Sequence, residues 1–485
     1  MKGERISSGI PGLDEILRGG FLRGRAYLLV GAHVTGKTIL SIQWLRQGIK
    51  NQEKCLLITL SEPAQEIARN IAGFGWSLEG IEMADFSPLT QEGKPEEYRV
   101  FPPSQVEEAS FWEKIFESLE RFQPDRLVLD SMTILRLLSP DPYQFRKNVL
   151  SLVGFLNRLG CTSLLVTEPA DLEAESGLAM AVDGLLRVYR QIGEKRVLEL
   201  RYLSVEKTRG SDYLSGLHPF RITPTGIQIF PHIIYSLQEV LSPGTQIASG
   251  ITELDELLGG GIETGTATLI SGPTGVGKST LGLAFLTSAI KKGHRAAIYI
   301  FEETPESFLA RSEALGLPAR SQVKEGKLKF VYLSPLTIYP DEFLNLVRQE
   351  VEKEKRDMVM IDSFRGYNVC MEAFGDLIVH TQNLVAYLQS QKVTSFWINE
   401  VERITGELSL SEIGVSYLFD NAILMRYAEM EARIVRLISC FKKRRGQFQS
   451  DVREFKMTPK GLKVGERLKG ITGLLSGVPR RWERD

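Results

Sequence analysis

An α/β architecture of two tandem domains, each a mostly parallel twisted sheet flanked by helices, is the fold class this sequence predicts. Three observations predict it. Two glycine-rich loops of one pattern, Gly31-Ala32-His33-Val34-Thr35-Gly36-Lys37-Thr38 and Gly272-Pro273-Thr274-Gly275-Val276-Gly277-Lys278-Ser279, lie 278 − 37 = 241 residues apart, about half the chain. Each loop follows a short apolar run and opens an amphipathic stretch. The segments after each loop then repeat in the same order to a common ending. Apolar strands alternating with helices imply a doubly wound sheet, because right-handed crossovers cover both of its faces.

The elements follow in order. Ser8-Gly9-Ile10-Pro11-Gly12-Leu13-Asp14-Glu15-Ile16-Leu17 approaches the first loop, and Ser249-Gly250-Ile251-Thr252-Glu253-Leu254-Asp255-Glu256-Leu257-Leu258 approaches the second. Ala26–Val30 and Ala267–Ile270 read as the strands that deliver the loops. Ile39, Leu40, Ile42 and Leu45 give the helix after the first loop an apolar stripe. Second strands are expected at Cys55–Leu60 and Ala296–Phe301, and strands closing on an aspartate at 126–131 and 358–363. Apolar strands Thr162–Thr167 and Thr394–Asn399 follow, with Glu168 and Glu400 at their ends. Leu185–Tyr189 and Ile423–Tyr427 begin an antiparallel second half. Domains are expected at 1–230 and 247–485, with a linker at 231–246 containing Pro243-Gly244.

The 485 residues are 43% hydrophobic and 25% charged, enough for full cores and against disorder. Lysine plus arginine (59) balances aspartate plus glutamate (60), so no overall basic field favours nucleic acid or an anionic membrane. Cys55, Cys161, Cys370 and Cys440 are scattered in apolar surroundings without a Cys-x-x-Cys pair, which fits buried thiols in a reducing compartment rather than a zinc site. The N-terminus lacks the apolar core of a signal peptide and no run is long enough to span a membrane, so a cytoplasmic address is expected.

The loops imply phosphate binding. Glycines let backbone N–H groups converge on phosphate oxygens, the helix N-terminus adds positive potential, a lysine reaches the terminal phosphates, and a hydroxyl can ligate magnesium. Nucleotide contacts are therefore expected from Gly31, Thr35, Gly36, Lys37, Thr38 and Ile39 in the first loop. In the second they are expected from Gly272, Thr274, Gly275, Val276, Gly277, Lys278, Ser279 and Thr280. Magnesium would sit between Thr38 and Asp130, or Ser279 and Asp362.

The approach Ser-Gly-Ile-x-x-Leu-Asp-Glu, the loop, the carboxylate-Pro step (Glu62-Pro63; Glu302-Glu303-Thr304-Pro305), the Asp-Ser strand end and a late Lys-x-Arg-Gly together resemble the RecA-like ATPases of the circadian clock protein KaiC family. The resemblance covers nearly the whole chain and recurs in both halves. It implies tandem RecA-like units in a homo-hexameric double ring, with ATP held between neighbouring subunits. It also makes Glu302 the general base, close to magnesium, with Glu303 beside it. By alignment the adenine lies near Phe74 and Leu315. In the first repeat Ser61 stands where the second has Glu302. A slower or inactive first site is then expected unless Glu62 takes over.

Cations late in each repeat are candidates for donation across a subunit boundary. Arg201, Lys207 and Arg209 are spaced by six and two, which on a regular strand puts them on one face, able to grip one γ-phosphate together. Arg436, Lys442 and Arg444 keep that spacing, with Lys443 and Arg445 held in reserve because Lys443-Arg444-Arg445-Gly446 keeps the Lys-x-Arg-Gly ending.

Departures from the family pattern bear on function. Where clock members carry adjacent Ser and Thr phosphorylation sites, this chain has Ser416-Tyr417. Ser416 is thus a single candidate acceptor, and a serine packed near a subunit boundary is the alternative. The first repeat has Ala179-Met180-Ala181-Val182-Asp183 there, without a hydroxyl. Ile471–Arg480 resembles the family's closing loop, but the long tail on which clock members dock an activating partner does not follow it here, so regulation by that partner is not expected; Trp482 among Arg480, Arg481 and Arg484 is a candidate docking site, with a frayed end as the alternative. The expected function is a slow ATP-hydrolysing, autophosphorylating ring that signals to an unknown protein partner. The competing readings are a DNA-handling motor and a scaffold glued by nucleotide.

Overall fold

In the computed structural model the described residues are 4–87, 105–139, 141–170, 176–192, 199–236, 244–371, 374, 377–401, 415–430, 432–473 and 480–481. The chain divides into two compact units, Met1–Ile233 and Ile234–Asp485. Each is a RecA-like α/β domain built on a nine-stranded sheet.

In the first unit the strands are β1 (Ala26–Gly31), β2 (Cys55–Thr59), β3 (Ile81–Asp85), β4 (Arg126–Asp130), β5 (Thr162–Thr167), β6 (Gly184–Ile192), β7 (Glu199–Thr208), β8 (His218–Thr223) and β9 (Gly226–Ile229). Their order is β9-β8-β7-β6-β1-β5-β4-β2-β3. The six strands from β6 to β3 run parallel, and β7 to β9 add an antiparallel extension.

The second unit repeats this plan with β10 (Ala267–Gly272), β11 (Ala296–Ile300), β12 (Leu328–Tyr332), β13 (Met358–Asp362), β14 (Thr394–Glu400), β15 (Asn421–Met430), β16 (Arg433–Lys443), β17 (Val452–Thr458) and β18 (Gly461–Arg467). The order β12-β11-β13-β14-β10-β15-β16-β17-β18 is the same permutation.

The apolar runs make strands because helices cover both faces. Successive residues of a strand face opposite sides, so Leu28 and Leu29, both fully buried, join separate cores. Leu269 and Ile270 divide likewise in the second unit. A strand buried on both sides needs apolar residues throughout, which is why these runs lack alternation. The parallel register then collects functional residues at one edge: Thr59 pairs with Asp130, Asp130 with Val166, and Val30 with Thr167. Ligands of open α/β sheets bind outside such carboxyl ends.

Two features locate the antiparallel extension. In β7, Lys207 pairs with Leu185 but Val205 pairs with Leu186, so Glu206 is an extra residue. In β16, Lys442 pairs with Ala422 but Cys440 with Ile423, leaving Phe441 extra at the equivalent place. Each is a β-bulge, which resets the alternation of side chains along the strand. Of the linker segment, His232 N donates to His218 Nδ1 at 2.9 Å in the first unit, and the Tyr235 ring lies 4.9 Å from that of Tyr387 in the second. Ile471–Thr472 pairs with Arg480–Arg481, whereas Trp482 and Arg484 lie outside the described residues.

Candidate functional sites

Both glycine-rich loops lead into helices, Lys37–Lys50 and Lys278–Lys291, whose N-cap glycines Gly36 and Gly277 take φ of 101° and 111°. Such backbone favours glycine, and at Gly277 a Cβ would also come within 2.9 Å of Met457 Sδ. Neither helix has a side-chain cap. Its first-turn N–H groups are left to serve an anion. Of the positions at which the loops differ, one bears on the backbone: Gly275 has φ 73°, and its counterpart Val34 has φ 64° while 69% exposed. A β-branched residue in the left-handed region is strained.

Lys37 Nζ donates to the carbonyls of Gly31 (2.6 Å) and Ala32 (2.8 Å), and Lys278 Nζ to that of Pro273 (2.8 Å). Burial holds both lysines below the ordinary lysine range, against the raising effect of nearby carboxylates. A cation withdrawn from water, as Lys278 is fully and Lys37 in part, and hydrogen-bonded to carbonyls is poised for an anionic ligand.

Thr38 Oγ1 donates to Asp130 Oδ2 at 3.4 Å, and the Ser279 hydroxyl bonds Asp362. Burial raises both carboxyls, Asp362 to about 6, although Ser279, Arg311 and Lys278 oppose this. These donors are hard oxygens of the kind magnesium takes. Among the described residues no group of three or more His, Cys, Asp or Glu could hold a metal. Magnesium is usually bound by one or two protein groups together with substrate phosphates.

Each loop opens on a cavity, of about 540 Å³ in the first unit and about 430 Å³ in the second. The second is lined by Thr274, Gly275, Gly277, Lys278, Ser279, Thr280, Glu302, Glu303, Leu315 and Asp362, with Ser363, Arg311 and Glu400. The first is lined by Thr35, Gly36, Lys37, Thr38, Ile39, Ser61, Glu62, Phe74, Asp130 and Arg201, with Asn70, Ser131 and Glu168. The candidate base contacts Phe74 and Leu315 therefore lie in the same cavities as the lysines. Gly31, Gly272 and Val276 stand behind the lining; a Cβ on Gly272 would come 2.4 Å from the Met425 carbonyl.

The strand ends beside the two loops are not equivalent. Ser363 Oγ donates to Glu302 Oε1 at 2.6 Å, while the same oxygen accepts from Gly366 N at 3.1 Å. Glu303 accepts from Ser307 Oγ at 2.9 Å and pairs with Arg311 Nη2 at 3.0 Å. In the first unit Ser131 matches Ser363, but its opposite number is the exposed Ser61. Glu62 accepts from Asn70 Nδ2 at 2.5 Å, and burial, then Glu66, raises its carboxyl.

Arg311 and Ser363 were not legible as site residues in the sequence. Nor was the ion pair between His33 Nε2 and Glu168 Oε1 at 3.0 Å. Helical spacing from Glu303 to Arg311 was the one available signal for the first of these.

The late cations need a correction. Arg201, Lys207 and Arg209 do not share a face, because the bulge at Glu206 breaks the alternation on which that expectation rested. Arg201 Nη1 donates to Val34 O at 2.7 Å, on its own loop. Lys207 Nζ instead reaches the carbonyls of Ala179 (2.7 Å) and Val182 (2.6 Å), and Arg209 Nη2 that of Met180 (2.9 Å).

The second unit repeats the separation. Arg436 lies over the Tyr427 ring at 5.8 Å, whereas Lys442 Nζ binds the carbonyls of Ser416 (3.1 Å) and Phe419 (2.7 Å) and Arg444 binds that of Tyr417. Equal strand pairing sets Lys442 against Lys207 and Arg444 against Arg209, so the extra residue of the second ending follows Arg444. Lys443 is turned inward: its Nζ bonds Leu258 O (2.6 Å), Gly261 O (3.1 Å) and Glu263 Oε1 (2.9 Å).

Ser416 sits half-buried in the 3₁₀ turn Val415–Leu418 and does not line the cavity of its own unit. Just beyond it Asp420 Oδ2 accepts from Ala267 N at 3.0 Å, tying this turn to the start of β10.

The model of the KaiC ATPase family matches this chain twice, over residues 6–233 and 247–469. The chain belongs to the KaiC ATPase family. It is 28% identical to the circadian clock protein KaiC3 of Synechocystis sp. over 98% of this chain and 94% of that one. It is 26% identical to the circadian clock oscillator protein KaiC of Parasynechococcus marenigrum over 100% of this chain and 95% of the relative. Against the KaiC of Picosynechococcus sp. the identity is 28%, covering 99% and 93%. This KaiC-family protein is accordingly a double-domain ATPase. Among the described residues, no helix is long and apolar enough to cross a membrane.

Proposed function

We propose that this protein is a slow ATPase whose second site hydrolyses ATP with Glu302 as general base, while its first site chiefly binds ATP to hold an assembly together. One observation carries the reading: the carboxylate that Ser363 holds at the second phosphate loop is a serine, Ser61, at the first. A hydroxyl is a poor base at neutral pH.

At each site the loop N–H groups and Lys37 or Lys278 bind the polyphosphate, and Thr38 with Asp130, or Ser279 with Asp362, holds Mg²⁺ through oxygen. The metal supplies charge neutralisation at the phosphates when bound. Glu302 orients the attacking water and takes its proton. Phe74 and Leu315 offer apolar contact to the base.

The assembly is a homo-hexamer with nucleotide at subunit boundaries. Lys207 with Arg209, and Lys442 with Arg444, reach across to the neighbouring subunit's phosphates. Their placement at strand ends outside the cavity of their own unit supports this, as do their carbonyl partners, which a stronger anionic ligand can replace. Arg201 and Arg436 serve the loop of their own unit instead.

Ser416, on the turn whose carbonyls Lys442 and Arg444 bond, is the autophosphorylation acceptor and faces a neighbour's second site. The names of the relatives support a signalling role, with ATP turnover as the timer and an unidentified protein as the receiver. Incubation with γ-labelled ATP tests the whole reading through three readouts: free phosphate, label on Ser416 and particle mass. A monomer in MgATP, or turnover independent of Lys278, refutes it.

A further inference from the structure

Between the two sites, two side chains change together. Ser61 and Asn70 of the first cavity become Glu302 and Arg311 in the second. Asn70 and Arg311 occupy the same place on equivalent helices, Ala64–Ala72 and Pro305–Ala314, seven residues into each. Each holds the neighbouring glutamate, Glu62 at 2.5 Å or Glu303 at 3.0 Å. A neutral amide is thus enough to hold that carboxylate. The arginine brings what the task does not require: a permanent positive charge and a fork of five N–H donors.

Its position shows where that surplus acts. The guanidinium carbon lies 5.0 Å over the Phe308 ring, which fixes the side chain against the cavity wall. It lines the same cavity as Lys278, Ser279, Glu302 and Asp362. Among the cations that act on Asp362 it precedes even Lys278. A triphosphate entering this cavity brings its terminal charge to the Lys278 and Asp362 end, within the influence of this guanidinium.

On the reading that the second loop is an ATP site, we propose that Arg311 is a substrate-contacting residue that reads the terminal phosphate from within its own subunit. It makes the second site discriminate nucleoside triphosphate from diphosphate more strongly than the first.

The test uses the full chain carrying Lys37→Ala, so that only the second site binds. It measures the affinities of a fluorescent non-hydrolysable ATP analogue and of the matching ADP analogue in magnesium. Arg311→Asn, which copies the first site, is expected to weaken the triphosphate analogue roughly tenfold, the scale of one charge-assisted hydrogen bond, and the diphosphate less than about threefold. Arg311→Lys, which keeps the charge, is expected to recover an intermediate ratio. An unchanged ratio in Arg311→Asn, an equal loss for both ligands, or a lysine variant that behaves as the asparagine overturns the proposal. If the Lys37→Ala chain binds neither nucleotide, the reading of the second loop itself falls, and this inference with it.

Discussion

Replacing Glu302 with Gln isolates the chemical role of one carboxylate. The substitution keeps size and shape, and the amide oxygen can still accept the 2.6 Å bond from Ser363 Oγ. Binding and fold are therefore expected to survive. What disappears is the proton acceptor, and general base catalysis is typically worth about 10²–10⁴ in rate, or about 2.7–5.5 kcal/mol of barrier. Ser363→Ala probes the complementary contribution. It leaves Glu302 in place without the hydroxyl that orients it, so the loss should be that of one hydrogen bond to a charged group, about 1.5–3 kcal/mol, or roughly ten- to hundredfold. Both are read as phosphate release at saturating MgATP, with fluorescent-nucleotide affinity and melting temperature measured alongside. If Glu302→Gln keeps turnover within about threefold of the parent while binding is unchanged, Glu302 is not the base. Glu303, already engaged by Arg311 and Ser307, would then have to be.

Further outcomes follow from the same geometry. Ser61→Glu in a Lys278→Ala background places a carboxylate opposite Ser131, and should raise phosphate release from the first site by roughly tenfold or more; a flat response would show that the first site is limited elsewhere. Lys443→Met leaves buried Glu263 without its cation and should cost about 3–5 kcal/mol in chemical denaturation, with much of the loss recovered on adding Glu263→Gln. Val34→Gly relieves a left-handed valine, about 1–2 kcal/mol, against about 0.5–1 kcal/mol of added chain entropy, so the melting temperature should hold or rise slightly. Burial raises Asp362 to about 6, so between about pH 4 and 6 the native chain binds more protons there than the unfolded one. This carboxyl's contribution to nucleotide-free stability is therefore present at low pH and is lost as pH rises through about 6. In that window the parent's stability should gain less, or lose more, with rising pH than that of Asp362→Asn.

The parallel halves of both sheets were legible because strands buried on two faces must be apolar throughout, and Leu28-Leu29 or Leu269-Ile270 leave no other reading. The loops were equally legible, since their glycines answer to backbone geometry. The side-chain face of Lys207 and Lys442 was not. It depends on Glu206 and Phe441 standing outside the ladder, and a bulge of this kind leaves no signature in hydrophobic spacing. Arg311 was not legible because its place in the site depends on a cavity that other segments of the chain complete. Ser363 escaped because a serine after an aspartate is an ordinary way to end a strand. The choice between Lys442 and Lys443 was open in one dimension and closed once one ammonium lay inside the fold and the other on its rim.

The extra residue in β7 and in β16 acts as a phase shifter. Upstream of it, β7 aims Arg201 at its own phosphate loop and β16 lays Arg436 over Tyr427, whose hydroxyl donates to the loop carbonyl of Thr274; downstream, each strand aims a lysine and an arginine the other way. One ribbon thereby addresses two destinations. A one-residue slip of the pairing beyond Glu206 or Phe441 would turn both downstream cations to the other face, so the register of this strand is as strictly set as the chemistry of its side chains.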